Sequence, residues 1–418
     1  MTSSRLVLSL LLGLLALGRP ASAQLVVKPV SEDEAKVLTV VLLQAVNARD
    51  HEAFDRCFDH GILADRALRG VPLAGEARRT ARKGLVQNMS FGPEVMRALG
   101  PEGFYRLVGQ RVVDGERRVL FALHGSRGLN YHDLVLCKGV DDIHRVCDFE
   151  IAAAGELMST TLRRMALPFV AQLDAKALET VDAAELDFVR HHESRTKASR
   201  ALMAGQAREA LKHLDALPES LTKLKPVLLN RLMASAQLAR EDSTATAAYR
   251  REVERFRAAF PGDAALDLML LDYHVVSGRW AEHEACLRRL QERMLDDPFL
   301  DALRGDALRE QGRHVEAKAA YSRVLQTLPG LGALYPVIIE HALSQEDHPW
   351  TLELMKRYWH NLGIWFDDFS TPVWLRFADT PQRREYDRFL RGERTQLAIT
   401  EGLETSFVES VLPDDGGR

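Results

Sequence analysis

Apolar and polar residues recur along this chain with two different periods, and the change of period divides it. Between about residues 185 and 365 apolar residues follow helical spacing, broken at regular intervals by turn residues. The stretch Gly305 to Pro329, GDALREQGRHVEAKAAYSRVLQTLP, shows the unit most clearly. Gly312 lets the chain turn between two helices, and Pro329 stops the second. Gly305 and Ala317 are small where the helices would cross, and Tyr321 and Leu325 continue the apolar face. The same frame recurs at Gly205 with Ala210 and Pro218, and at Arg240 with Ala245 and Tyr249. It recurs again at Gly278 with Pro298, and at Asp347 with Leu352. Turns are predicted near 205, 240, 278, 312 and 347, in steps of 35, 38, 34 and 35 residues. One such unit describes any pair of core helices; five in phase describe stacked hairpins. The frame is degenerate. His283 stands where other units are small, the units at 240 and 347 lack the turn glycine, and extra residues enter around Phe260-Pro261-Gly262.

Residues 24 to 170 follow no such period. Ser31-Glu32-Asp33-Glu34 is a capping box before an apolar helix from Val37 to Val46, and a second helix turns Phe54 and Phe58 inward. Helical patterns continue to about Leu99, and then the period becomes two. YRLVGQRVVDGERRVLFALHG reads as two strands joined at Asp114-Gly115, a strong hairpin signal. NYHDLVLCK and HRVCDFEIA read as two more, joined between Gly139 and Asp142. The expected fold is mainly α, an α-α superhelix of hairpins over 185–365. It follows a smaller α+β domain over 24–170, with helices packed on a four-stranded antiparallel sheet. Downstream, Tyr358, Trp359, Trp365, Phe366, Phe369, Trp374 and Phe377 are expected to hide the open apolar end of the array. Capping helices are expected over 366–395, the last begun at Thr380-Pro381, with a frayed tail over 396–418.

The chain start changes the picture. Arg5 precedes an apolar run from Leu6 to Leu17, and Ala21-Ser22-Ala23 places small residues before a cut ahead of Gln24. That is a secretory signal peptide over 1–23, with a run short of the roughly 20 residues a membrane span needs. No later apolar run free of charge is long enough to span, so the mature chain is expected not to cross a membrane. Arg outnumbers Lys, and Ala and Leu are abundant, which fits a bacterial genome rich in G and C. The expected location is periplasmic or secreted, where the sequon Asn88-Met89-Ser90 has no force. A formal net charge of −4 gives no basic field for nucleic acid, and a 46% hydrophobic content can fill a core.

The hairpin unit resembles the tetratricopeptide repeat, with small residues at Gly305 and Ala317, an aromatic at Tyr321 and a closing Pro329. In that family the first helix of each hairpin lines a concave surface that binds a protein or peptide. Carried onto this sequence, the resemblance implies an inward set of His192, Arg195, Asn230, Gln237, Leu268, Asp272, Phe299, Asp306, Arg309 and Glu340. The set is mixed in charge and lacks the row of Lys and Asn by which some members grip a peptide carboxylate. Phe299 and Arg309 are its strongest candidate anchors. The order of elements in 24–170 is similar to the cystatin-like cone of nuclear-transport-factor-like and steroid-isomerase-like domains, which often encloses a small pocket.

Candidate chemistry is thin. On the strands, His124, His132, Asp133, Asp148 and Glu150 offer a histidine–carboxylate pair for acid–base work or the start of a metal site. Successive strand residues point to opposite faces, so His132 and Asp133 do not share one. His124, His132 and Asp148 remain as lining for a pocket. His51, Asp55 and Asp59 fall at i, i+4 and i+8 of a helical pattern, as any polar outer face does. No phosphate loop, HExxH, GxSxG or paired CxxC occurs. The reading is an exported, non-enzymatic interaction module that binds a protein or peptide partner, with no cofactor and no metal. The alternative is a small-molecule-binding or enzymatic α+β domain with the repeats recruiting partners. The cysteines Cys57, Cys137, Cys147 and Cys286 are too few for a disulfide scaffold. A three-residue loop, Asp141 to Ile143, sets Cys137 opposite Cys147. Two- or four-residue loops separate them, and a bulge can rejoin them. Free thiols are expected.

Overall fold

The structure, a computed structural model, describes residues 29–400 apart from 102, 126, 127, 140 and 180. The predicted signal peptide and the end of the predicted tail, 401–418, lie outside the described residues. The chain divides into two units, up to Tyr273 and from His274 onward.

The first unit begins with α1 (Glu32–Asn47), whose capping box is complete: Glu34 N donates to Ser31 Oγ at 3.3 Å, and Ser31 N donates to Glu34 Oε2 at 2.8 Å. Four more helices follow: α2 (His51–Arg56), α3 (His60–Ala67), α4 (Gly75–Gln87) and α5 (Gly92–Leu99). Asp50 caps α2 and Asp59 caps α3, so His51, Asp55 and Asp59 do not share one helix as their spacing suggested. Asp55 instead accepts from Phe91 N, Gly92 N and Ser90 Oγ at 2.7–2.8 Å, tying α2 to the start of α5.

The sheet is antiparallel in the order β1 (Phe104–Val113), β2 (Glu116–Gly125), β3 (Gly128–Lys138), β4 (His144–Ile151) and β5 (Glu156–Leu157). Asp114 at φ 53° and Gly115 at φ 79° give the tight first turn its left-handed pair. The fifth strand corrects the expected four. It forms because the chain reverses at Gly155, φ 64°, and two residues pair back onto Glu150 and Ile151. Two residues carry no alternation to read. One face of the sheet, with Val119, Phe121, Leu134 and Phe149, packs on Leu42, Phe54 and Leu63 from the helices. Each large side chain so buried contributes about 1.5–3 kcal/mol. Beside β4, the chain at Cys57–Asp59 pairs with Val146: Val146 N donates to Cys57 O and Asp59 N to Val146 O, both at 2.8 Å.

The β3–β4 register matches none of the simple loops. Lys138 faces His144 and Leu136 faces Val146, but Val135 faces Asp148, so Cys147 is the extra residue of a bulge. Cys137 and Cys147 are free thiols, both fully buried in one cluster with Val135. The neighbouring Cys137 thiol, and burial, push the Cys147 thiol far up.

Beyond the sheet come α6 (Met158–Leu173), α7 (Ala183–Arg190), α8 (His192–Met203), α9 (Ala207–Asp215), α10 (Glu219–Thr222), α11 (Lys225–Glu241), α12 (Thr246–Ala259) and α13 (Ala264–Val276). The chain passes into the second unit within α13. There follow α14 (Trp280–Arg293), α15 (Leu300–Glu310), α16 (His314–Thr327), α17 (Leu334–Ser344), α18 (His348–Leu362), α19 (Pro372–Ala378) and α20 (Pro381–Thr400). All five predicted turns fall between helices. Gly205, Gly278 and Gly312 supply positive φ at three of them. Where glycine is absent, Glu346 takes φ 52°, and Ser243–Ala245 forms a 3-10 turn. Gly305 of α15 packs on Tyr321 of α16, and Ala317 is fully buried.

At the far end, Phe377 and Tyr386 are buried in the same core as Tyr335 and Trp350. Phe366 N donates to Tyr386 Oη at 3.1 Å, which pins the aromatic segment to α20. That last helix reaches Thr400, five residues past the predicted end of the cap.

Candidate binding cleft

In the first unit a cleft of about 410 Å³ opens between α6, α8 and α11, with Phe188 of α7 at its base. Helix α8 supplies more of its wall than any other helix. His192, Arg195, Thr196, Ser199, Arg200 and Met203 all line it, at the i, i+3, i+4, i+7, i+8 and i+11 spacing of one helical face. The opposite face of α8 buries Ala198 and Ala201. From α11 come Val227 and Asn230, and Asn230 Nδ2 approaches Ser199 Oγ at 3.5 Å. From α6 come Thr161, Arg164 and Met165.

The charges are arranged around one phenyl ring. The Arg195 guanidinium lies 3.1 Å from the Phe188 ring centroid, and that of Arg164 lies 5.6 Å from it. Arg164 pairs with Glu156, whose other oxygen accepts from Thr161 Oγ1 at 2.6 Å. Arg195 donates from Nη2 to Phe188 O at 2.8 Å, and its buried Nε has no hydrogen-bond partner. Burial, and then the nearby Arg164 cation, lower Arg195 to about 10. Among the described residues no carboxylate sits within ion-pair distance of Arg195. Met165 and Met203 stand exposed at the rim, 67% and 88% accessible.

Three of the residues expected to meet a partner therefore come together: His192, Arg195 and Asn230. Gln237 does not join them. Its Nε2 donates to Gly205 O at 2.8 Å and braces the turn of the preceding hairpin. Asp272 is exposed on α13, outside the cleft, and Glu340 is exposed on α17 in the second unit. Phe299 is 3% accessible, packed inside just before α15, so the expectation that it anchors a partner is corrected. Asp306 accepts from Tyr321 Oη at 2.7 Å within its own hairpin. Arg309 pairs with the adjacent Glu310 at 3.2 Å. A second-unit cleft of about 430 Å³ is lined by Trp280, Arg304 and Gln311, but Arg304 is already paired with Glu284 and Asp301.

Arg164, Met165, Phe188 and Met203 were missed by sequence reasoning. The stripe along α8 was a readable signal for Met203. Arg164 and Phe188 come from helices outside the repeat frame.

The sheet's candidate pocket is taken apart. His132 lies on the face toward the helices, lines a cavity of about 450 Å³ with Val95, Leu123 and Ile151, and shares a hydrogen bond with Tyr105 Oη at 3.3 Å. Burial lowers it to about 4, so it is neutral near pH 7. His124 is on the opposite face, stacked on Phe104 with ring centroids 5.2 Å apart. Asp148 is on that face too, accepting from Phe149 N and Ser159 N at 2.9 and 3.0 Å and lying 3.8 Å from Arg66. Strand alternation thus denies His132 the carboxylate partner that the neighbouring strands were expected to supply. Among the described residues no group of three or more His, Cys, Asp or Glu side chains is placed to hold a metal ion, and no helix is long and apolar enough to cross a membrane.

No family model matches the chain, and no curated protein does. A solved structure of a MamA mutant is similar to it at 18% identity, over 42% of this chain and 99% of that one, with a TM-score of 0.31. A likeness this slight decides neither fold nor partner.

Proposed function

We propose that this chain is an exported, non-enzymatic interaction module whose helical hairpins bind a protein or peptide partner, as tetratricopeptide-like repeats do. The observation that carries the reading is the cleft at the start of the hairpins. There the first helices of two successive hairpins, α8 and α11, present His192, Arg195 and Asn230 to one space. A benzophenone amino acid placed at His192 or Asn230 in the exporting cell tests it, with Lys212 on the exposed face of α9 as control. A discrete cross-linked protein at the first two sites, and none at Lys212, is the expected result. Absence of cross-links at both sites, or equal yield at Lys212, would overturn it. Recovery of the same protein with Gln24 as its first residue checks export.

The cavity beside His132 favours a second reading, a small apolar ligand held in the α+β region. It is weaker, because His132 already shares a hydrogen bond with Tyr105, and Glu94 and Arg97 at the cavity's edge pair with each other.

A further inference from the structure

The partner-binding reading leaves open what chemistry the cleft selects, and the charges around Phe188 point to an answer. We propose that the cleft between α6, α8 and α11 receives a side-chain carboxylate of an acidic, partly apolar peptide segment. Arg195 and Arg200 hold the anion, and Met165 and Met203 cover the apolar residue beside it. The proposal rests on the partner-binding reading and gives the partner its chemical class.

Two guanidinium groups share the Phe188 ring, and Arg164 is nine-tenths buried at its side chain. Among the described residues the only carboxylate lining the cleft, Glu156, is spent on Arg164 and Thr161. Arg195 therefore keeps a partly buried positive charge beside another cation, with a carbonyl and a ring face as its partners. Holding a charge there is costly unless an anion joins it. The planar fork of an arginine is suited to a carboxylate, and such a charge-assisted pair strengthens where water is scarce. Arg200, exposed on the same wall, adds a second cation at the mouth. One uncompensated buried charge matches a singly charged carboxylate better than a doubly charged phosphate, which Glu156 would repel about twice as strongly. The exposed methionines supply adaptable apolar cover next to the anion site.

The test uses fluorescence anisotropy on the mature protein with amidated dodecapeptide pools alternating Asp/Glu with Leu/Phe. A matched pool has Asn/Gln in place of the acids, a third is that neutral pool with a free C-terminus, and inorganic phosphate serves as competitor. The acidic pool should bind, weaken with added salt, and resist phosphate. Arg195→Gln should weaken it about 10- to 100-fold, with Arg195→Lys recovering only part. Arg200→Ala alters an exposed residue and keeps the test decisive should Arg195→Gln fail to fold; it should weaken binding severalfold. Equal binding of the acidic and neutral pools, or unchanged binding by both variants, overturns the proposal. Binding of the free-terminus pool alone overturns it in favour of a chain end, and displacement by phosphate overturns it in favour of a general anion site. Each of these failures leaves the cross-links at His192 and Asn230 standing, so the two readings fall separately.

Discussion

Replacing Gly305 by alanine adds a single methyl group, and its effect follows from the structure. The new Cβ would lie 2.6 and 2.7 Å from two ring carbons of Tyr321. Carbon atoms do not approach that closely, so α15 or the ring must move. The ring is held: Tyr321 is 1% accessible, its hydroxyl donates to Asp306 at 2.7 Å, and His341 lies 5.7 Å from it between centroids. Overpacking a fixed site costs about 1–3 kcal/mol. Against this stands the helix preference of alanine over glycine, about 1 kcal/mol. The net expectation is a loss of up to about 2 kcal/mol. In a Tyr321→Ala background the ring carbons are gone and only the propensity remains, so Gly305→Ala should stabilise by up to about 1 kcal/mol. This change of sign is the diagnostic. All five tryptophans, Trp280, Trp350, Trp359, Trp365 and Trp374, lie in the second unit, so urea unfolding followed by tryptophan fluorescence reports on the perturbed region. A raised urea midpoint for Gly305→Ala alone, or the same shift in both backgrounds, would refute the packing argument.

Other expectations are equally direct. His341 is lowered to about 4 by burial, then by the nearby His314 and Arg309, and His132 by burial to the same value. A histidine kept neutral by the fold binds its proton less readily than the unfolded chain does. The stability each contributes is therefore complete above pH 6.5 and lost as pH falls toward about 4. Imidazole resonances of either residue titrating near 6.5 in the folded protein would contradict this. All four cysteines are buried thiols, so a thiol reagent should find none in the native protein and all of them in denaturant. A peptide linking Cys137 to Cys147 in an unreduced digest would show otherwise.

The hairpins were legible because their signals are local and steric. A glycine at positive φ marks a turn whatever surrounds it, and Gly305 could be assigned to a helix crossing from size alone. The cleft was half legible. His192, Arg195 and Asn230 follow from the repeat frame, but Arg164 and Phe188 reach the site from α6 and α7, which precede it. Phe299 was misplaced because α15 starts at Leu300, and the residue before a helix start turned into the core instead of along the helix face. The bulge at Cys147 escaped for a similar reason. Register counted from a loop assumes an unbroken ladder, and here the contact of β4 with a distant segment intervenes.

That segment, Cys57 to Asp59, has a consequence for how the chain reaches its fold. Helical hairpins close over short loops and can form early, whereas the bond from Val146 N to Cys57 O joins residues far apart along the chain and waits for the intervening helices and strands. Until it forms, β4 presents an unpaired edge beyond which only the two-residue β5 offers cover. An open edge of this kind is a template for a strand of another molecule. Aggregation during refolding should therefore originate at β4, and a truncated protein starting after Asp59 should remain aggregation-prone even with every helical hairpin intact.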